Sequence, residues 1–157
     1  MAEPVVTPTT RTITSTAGTG GIVSPSGSVV VTQGTNKTFT ITANTGYTVS
    51  SVAVDGINQG AISTYTFNNV QTTHTISATF AQITYAVTVT QGTNGTISPN
   101  TTSVASGSGQ TFTITPASGY QVASVTVDGV NQGAISAYTF TNVTSAHSIT
   151  ATFSLIP

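Results

Sequence analysis

The sequence of 157 residues contains no cysteine and very few charged residues. The absence of cysteine excludes disulfides, thiolate nucleophiles and cysteine-ligated metal sites. Charged residues make up 3% of the chain, whereas they make up about 25% of a typical globular protein. Disordered segments are usually rich in charge and poor in β-branched residues, so this deficit does not predict disorder.

Positively charged residues are especially few, since Arg11 and Lys37 are the only lysine or arginine residues. Proteins bind nucleic acids and anionic lipid surfaces chiefly through many such residues, so the sequence predicts neither partner. No apolar run approaches the roughly 20 residues needed to cross a bilayer, so membrane insertion is not expected. Residues 1–4 lack the basic start of a signal peptide. The chain is therefore expected to be a mature part of an exported protein, or else cytoplasmic.

Threonine is unusually frequent in this chain, in contrast to the charged residues. It occurs 36 times, whereas Leu155 is the only leucine. Threonine is β-branched and favours the pleated surface of a sheet, while the common helix formers are nearly absent. The composition therefore predicts an all-β protein.

The chain repeats itself at an offset of 73 residues. The segments that recur are 38–42 at 111–115, 54–56 at 127–129, 58–63 at 131–136 and 78–80 at 151–153. Self-similarity over such a length predicts two copies of one structural module. We place a Pro/Thr-rich arm or linker at residues 1–10, a first module at residues 11–82 and a second at residues 83–157.

Each copy has the alternating pattern of short strands separated by turns. Phe39 and Ile41 are predicted to face the core between outward threonines, and the Asp55-Gly56 pair predicts a two-residue hairpin turn. We expect five to seven strands in each module, arranged as a small immunoglobulin-like β-sandwich. An open β-roll and a grasp-like arrangement are the alternatives.

Three motifs occur in both copies. They are Gly-Tyr-x-Val-x-x-Val-x-Val-Asp-Gly at 46–56 and 119–129, Gly-x-x-x-x-Tyr-Thr-Phe at 60–67 and 133–140, and Asn-Val-x-x-x-His-x-Ile-x-Ala-x-Phe at 69–80 and 142–153. Together with Gly-Thr-x-Gly-x-x-Ser-Pro at 18–25 and 92–99, this pattern resembles divergent relatives of the internalin-B-type B-repeat. The resemblance implies a tandem repeat of secreted or surface-attached bacterial and archaeal proteins, and it implies no catalytic residues.

The resemblance thus implies an extracellular or cell-surface protein in which the modules act as stalk, spacer or adhesion repeat. Two alternatives are a subunit of an extracellular filament and a carbohydrate-binding adhesin. We expect no cofactor. Self-association through edge strands, or contact with other repeats of the same protein, is the expected kind of partnership. A cell-surface glycan or protein is the other candidate partner.

The residues that could do chemistry are few in each copy. His74 and His147 occupy equivalent positions, so any active centre must be built inside one copy from one histidine and one aspartate. Metal sites need three or four clustered ligands, so none is predicted. A Ser-His-Asp arrangement through Asp55 and His74 is formally possible, but no Gly-x-Ser-x-Gly turn accompanies it. We therefore predict no catalytic residues, and we expect His74 at the rim of the core with a backbone hydrogen bond.

Two further roles depend on exposed residues. Tyr47 and Tyr120, each following a glycine, are candidates for stacking against a sugar ring. Val5, Val6 and Ile13 are candidates for donating a strand to the sheet of a neighbouring subunit, because an extended segment can complete an open sheet edge.

Overall fold

The computed structural model describes residues 7–157, and these residues form strands and turns. None of them lies in a helix able to cross a membrane. The chain divides between Gln82 and Ile83 into two compact units. The first contains β1 (Thr10–Ala17), β2 (Gly21–Ser24), β3 (Gly27–Thr32), β4 (Lys37–Ala43), β5 (Tyr47–Val54), β6 (Ile57–Asn58), β7 (Thr64–Phe67) and β8 (His74–Gln82). The second contains β9 (Thr84–Thr90), β10 (Gly95–Ser98), β11 (Thr102–Ala105), β12 (Gln110–Pro116), β13 (Tyr120–Val127), β14 (Val130–Gly133), β15 (Ala137–Phe140) and β16 (His147–Leu155).

Each unit is a sandwich of two sheets with the same strand order. In the first unit, a five-stranded sheet has the order β3-β1-β8-β5-β6 and a three-stranded sheet has the order β2-β4-β7. The second unit repeats this as β11-β9-β16-β13-β14 and β10-β12-β15. The predicted all-β fold of two small sandwich modules is confirmed.

Each module contains eight strands, not the five to seven that the sequence predicts. The additional strands are short. β2 has four residues and β6 has two, which is too few for an alternating pattern to be recognised. β2 and β3 are also separated only by Pro25 and Ser26, yet they belong to different sheets.

The first and last long strands of each module run parallel to each other. β1 pairs with β8 from Ile13 opposite His74 to Ala17 opposite Ala78, and β9 pairs with β16 in the same way. All the other strand pairs in the described residues are antiparallel. Because two parallel strands point in one direction, the chain enters a module at one end of the sheet and leaves it at the other.

The core lies between the two sheets and consists of the inward residues of alternating strands. Phe39 and Ile41 of β4 are buried, while the threonines on either side of each are exposed. Phe39 meets Phe67 edge to face with ring centroids 5.8 Å apart, a favourable geometry for aromatic rings. The equivalent pair in the second module, Phe112 and Phe140, has the same separation. Each module therefore has a hydrophobic core of its own.

One irregularity explains a break in the sequence pattern. Val49 and Val52 are three residues apart, which does not fit the period of two of a regular strand. The structure has a β-bulge in β5 between Val49 and Ser51, which shifts the register against β8. The extra residue lets both valines face the core, and β13 contains the same bulge.

Candidate functional site

A cluster of polar side chains in the first module surrounds the turn after β5. Asp55 and Gly56 connect β5 to β6 with φ of 49° and 80°. Positive φ at both central residues is the requirement of the tight hairpin turn that suits Asp-Gly. The hairpin predicted from the sequence is confirmed by the pairing of Val54 with Ile57.

Asp55 continues the ladder between β5 and β8 by one more residue. Its backbone N–H donates to the carbonyl of Thr75 at 3.0 Å. In return, its carboxylate oxygen Oδ1 accepts the N–H of Thr75 at 2.8 Å. The side chain takes the acceptor position that a backbone carbonyl holds in a regular antiparallel ladder.

The second carboxylate oxygen of Asp55 binds His74 at the start of β8. The distance from Oδ2 to Nδ1 of the imidazole is 2.7 Å. The ring of His74 lies against Phe67 with centroids 4.9 Å apart, and its Nε2 is 3.3 Å from the hydroxyl of Thr72. The sequence prediction of a backbone partner for His74 is therefore wrong, because the turn brings the Asp55 carboxylate within reach. The prediction of a position at the rim of the core is correct, since the side chain is 24% exposed.

The electrostatics of the site follow from these contacts. Partial burial by itself raises the pKa of the Asp55 carboxyl. The hydrogen bonds from Thr75 and His74, with the attraction of the imidazole, outweigh that effect and hold the pKa below its ordinary value of 3.8. The ionised carboxylate is thus the form that the fold favours.

The second module reproduces this arrangement. Asp128 accepts the backbone N–H of Ser148 at 2.7 Å and lies 2.6 Å from Nδ1 of His147. The ring of His147 packs on Phe140 at 4.8 Å. Burial raises the pKa of Asp128 in the same way, and the contacts with His147 and Ser148 reverse the shift, so this pKa is also lowered. We refer to Asp55–His74 and Asp128–His147 as the Asp–His clamps.

The repetition of the whole module, clamp included, agrees with a comparison with known protein families. The model of the divergent InlB B-repeat domain matches residues 11–84 and again residues 85–157. The chain belongs to this family. No curated protein shows a significant match to it. Repeat domains of this family are generally structural, and they are typical of surface proteins.

The clamp of the first B-repeat borders an open depression of about 240 Å³. Its walls are formed by the clamp residues and by hydroxyl side chains, which are Thr12, Thr14, Thr73 and Thr75. The sequence of contacts from Asp55 through His74 to Thr72 matches the order of hydrogen bonds in a hydrolase triad. In the second B-repeat, Ser145 replaces Thr72, and no hydrogen bond to His147 is found for it in the described structure. The hydrogen bond between Thr72 and His74 is therefore not a feature that the two B-repeats share.

Metal binding has little support in the B-repeats. Among residues 7–157, no three histidine, aspartate, glutamate or cysteine side chains come together as a group able to hold a metal ion. The clamp itself supplies one carboxylate and one imidazole. Stable sites for zinc or calcium need more ligands than that.

The two tyrosines proposed for ligand stacking begin equivalent strands. Tyr47 starts β5 and Tyr120 starts β13, and both are half-buried. A Cβ atom added to Gly20 would lie 2.2 Å from the ring of Tyr47. One face of this ring is therefore in contact with the backbone of Gly20. In the second B-repeat, Asn94 occupies the position of Gly20 with φ of 68°, so Tyr120 lacks a glycine beneath it.

The residues proposed for strand donation have separate outcomes. Val5 and Val6 lie outside the described residues. Ile13 lies in the middle of β1, is fully buried, and belongs to the core of its own module. Because β1 already pairs with β3 and β8, Ile13 serves its own sheet.

Proposed function

We propose that this chain is a structural part of an extracellular or cell-surface protein, in which the B-repeats act as a spacer. The observation that supports this most strongly is the parallel pairing of the first and last strands in each module. A module of this kind has its two chain ends on opposite sides. Joining such modules in tandem lengthens a protein, whereas modules whose two ends lie side by side would add mass but little length.

The length that one module adds can be estimated from the strand register. Thr10 begins β1 and Gln82 ends β8, and the register separates them by about eleven residue steps along the strand direction. At about 3.3 Å per residue, this gives about 36 Å for each module. The register of β9 against β16 gives the same length for the second module.

The composition of the surface supports the same role. Outward positions carry threonine and serine, and charged residues make up 3% of the chain. Ionic screening acts on charges, so a surface with few of them keeps its properties when the salt concentration outside a cell changes. Hydroxyl groups keep the surface solvated without attracting charged partners.

Surface display tests this proposal directly. The chain is fused between a cell-wall anchor and an epitope, and the height of the epitope above the cell surface is measured by super-resolution fluorescence. Removal of residues 83–157 is expected to lower the epitope by at most the length of one module, about 36 Å. An unchanged height would contradict the spacer proposal.

The carbohydrate-binding alternative is tested on the same cells. Binding to a glycan array that disappears when Tyr47→Ala and Tyr120→Ala are combined, with the height unaffected, would assign the B-repeats an adhesive function in place of spacing. Glycan binding that survives both substitutions would dismiss the two tyrosines as stacking platforms.

A further inference from the structure

The edge strand β3 of the first module has one side without a partner strand. β3 (Gly27–Thr32) is the outermost strand of the five-stranded sheet and pairs with β1. Within residues 7–157, no strand pairs with its other side. With six residues it is longer than the other three edge strands of this module, β2, β6 and β7.

The register identifies which backbone groups lie open on this edge. Gln33 follows β3 and donates its N–H to the carbonyl of Thr9 at 2.9 Å. In an antiparallel ladder, the hydrogen-bonded residues alternate with residues whose groups point the other way. Counting back from Gln33, the backbone groups of Ser28, Val30 and Thr32 therefore point away from β1. Of these groups, the carbonyl of Thr32 is already bound by Thr35 in the following turn.

Nothing in the sequence of this edge opposes pairing. Natural sheets protect long edges with charged residues, proline or a bulge. β3 reads Gly-Ser-Val-Val-Val-Thr, pairs with β1 in a continuous register, and exposes 67% of Val30 on the outer face. An uncharged extended segment is the partner that fits such an edge, because its backbone can supply the missing hydrogen bonds.

We propose that β3 pairs in antiparallel orientation with β3 of a second copy of this chain, around a two-fold axis through Val30. In this register Val30 lies opposite Val30 of the second copy, and Ser28 lies opposite Thr32. In this register the N–H of Val30 meets the carbonyl of the other Val30, and the N–H of Thr32 meets the carbonyl of Ser28, which gives four hydrogen bonds across the contact. The carbonyl of Thr32 stays in its own turn, where it accepts the N–H and the hydroxyl of Thr35. The two valines meet on the outer face between hydroxyl side chains, and no like charges oppose each other.

The proposed pairing limits the assembly to two copies. A two-fold contact uses the same edge on both copies, so the product is a dimer and not a fibre. The edge is small compared with the interfaces of about 1,600 Å² in stable complexes, so the dimer is expected to be weak and reversible. Chains that are attached side by side to one surface have a high effective concentration, and there a weak contact is populated.

The second module provides an internal contrast. Its edge strand β11 (Thr102–Ala105) has four residues, and Ser103 stands at the position of Val30. The hydroxyl of Thr101 accepts the N–H of Val89 at 2.9 Å, where the first module continues its strand. The second module thus has a shorter and more polar edge, and the proposed contact belongs to the first module alone.

Disulfide trapping tests the register of this dimer, because the chain has no cysteine of its own. Across a hydrogen-bonded antiparallel pair, the Cα atoms are about 5.5 Å apart, which a disulfide can span. Val30→Cys is therefore expected to form a covalent dimer under mild oxidation. Ser28→Cys is the matched control, since its counterpart in the second copy is four residues out of register and about 13 Å away. Equal trapping of both variants would overturn the proposed register.

Sedimentation over a range of concentrations tests the contact itself. Val30→Pro removes an N–H that points outward, so it is expected to abolish the dimer while the circular dichroism and the unfolding temperature stay close to those of the original chain. Val30→Ser, which copies the second module, is expected to raise the dissociation constant at least tenfold. Ser103→Pro is the control and should leave the dimer unchanged.

Three results would overturn the proposal. They are a chain that stays monomeric up to its solubility limit, a Val30→Pro variant that dimerises like the original, and a dimer that disappears when residues 1–8 are removed. The last result would assign the contact to the N-terminal segment. Because β1 begins at Thr10, that truncation leaves the strands of the module complete.

Discussion

Asp55 and Thr75 exchange two hydrogen bonds across the end of the ladder between β5 and β8. One of them passes through the Asp55 backbone at 3.0 Å and the other through its carboxylate at 2.8 Å. The aspartate thus lets the chain make a tight turn and still supplies an acceptor for the neighbouring strand β8. The same carboxylate binds His74, whose ring lies against Phe67. Asp55 thus connects the hairpin to the central strand β8 and, through His74, to the rim of the core.

Replacement of Asp55 is expected to destabilise the first module. Asp55→Ala removes the acceptor of the Thr75 N–H and the partner of His74, and it places a less suitable residue at positive φ. We expect a loss of about 1 to 2 kcal/mol in the free energy of unfolding, measured by urea denaturation. Asp55→Asn keeps an acceptor and tolerates the same φ, so its loss should be smaller. Equal stability of the alanine variant and the original chain would exclude a stabilising role for the clamp.

The stability of the chain is expected to fall in acid. The pKa values of Asp55 and Asp128 are lowered on folding, so the unfolded chain binds protons more readily than the folded one. The stability from the two carboxylates is complete above the unfolded value of about 3.8. It is lost as the pH falls through the lower values of the folded state.

Denaturation between about pH 6 and about pH 2 measures this loss. The chain has only three acidic residues, so the two clamps account for most of the carboxylate titration. In the variant with both Asp55→Asn and Asp128→Asn, the free energy of unfolding should fall clearly less as the pH is lowered. If it falls as steeply as in the original chain, another group causes the acid sensitivity.

The contact between Tyr47 and Gly20 leads to a prediction on packing. A Cβ at Gly20 would lie 2.2 Å from the tyrosine ring, whereas Gly60 has no atom within 4 Å of such a Cβ. Both glycines have positive φ, 98° and 79°, so alanine is strained at either position. Gly60→Ala is expected to cost about 1 kcal/mol from backbone strain alone. Gly20→Ala should cost clearly more, because the ring must move, and thermal unfolding of the two variants compares them.

A core substitution is expected to unfold one module. Phe39 is fully buried against Phe67, and removal of a buried aromatic side chain typically costs about 3 to 5 kcal/mol. A module of about 70 residues is only marginally stable. In Phe39→Ala, hydrogen exchange should therefore become fast in residues 10–82. Phe112→Ala is the matched variant and should affect residues 84–155 in the same way. Protection that persists in the substituted module would contradict the assignment of the core.

Several features of the fold could be predicted from the sequence because they depend on neighbouring residues. The alternation of Phe39 and Ile41 with threonine predicted the strand β4, and the Asp55-Gly56 pair predicted the hairpin. The parallel pairing of β1 with β8 could not be predicted in this way, because it depends on strands that are about 60 residues apart. The bulge in β5 was visible only as an unexplained step between Val49 and Val52.

The candidate site was predicted in its parts but not as a unit. Asp55 was interpreted as a turn residue and His74 as a residue at the rim of the core. They are 19 residues apart, and no local pattern connects them. One signal could have done so, since both recur together in the second copy as Asp128 and His147. The contact of Tyr47 with Gly20 had no such signal, because the second copy has Asn94 at the position of the glycine.

Single-molecule force measurement tests the central claim, that the chain is one module repeated and that each copy folds around its own core. Pulled by its ends, the chain should unfold in two events. Each event should release about 70 residues, which extend to about 25 nm. The Phe39→Ala variant should show only the event of the second module. A single event that releases the whole chain, or two events of clearly unequal length, would contradict the account.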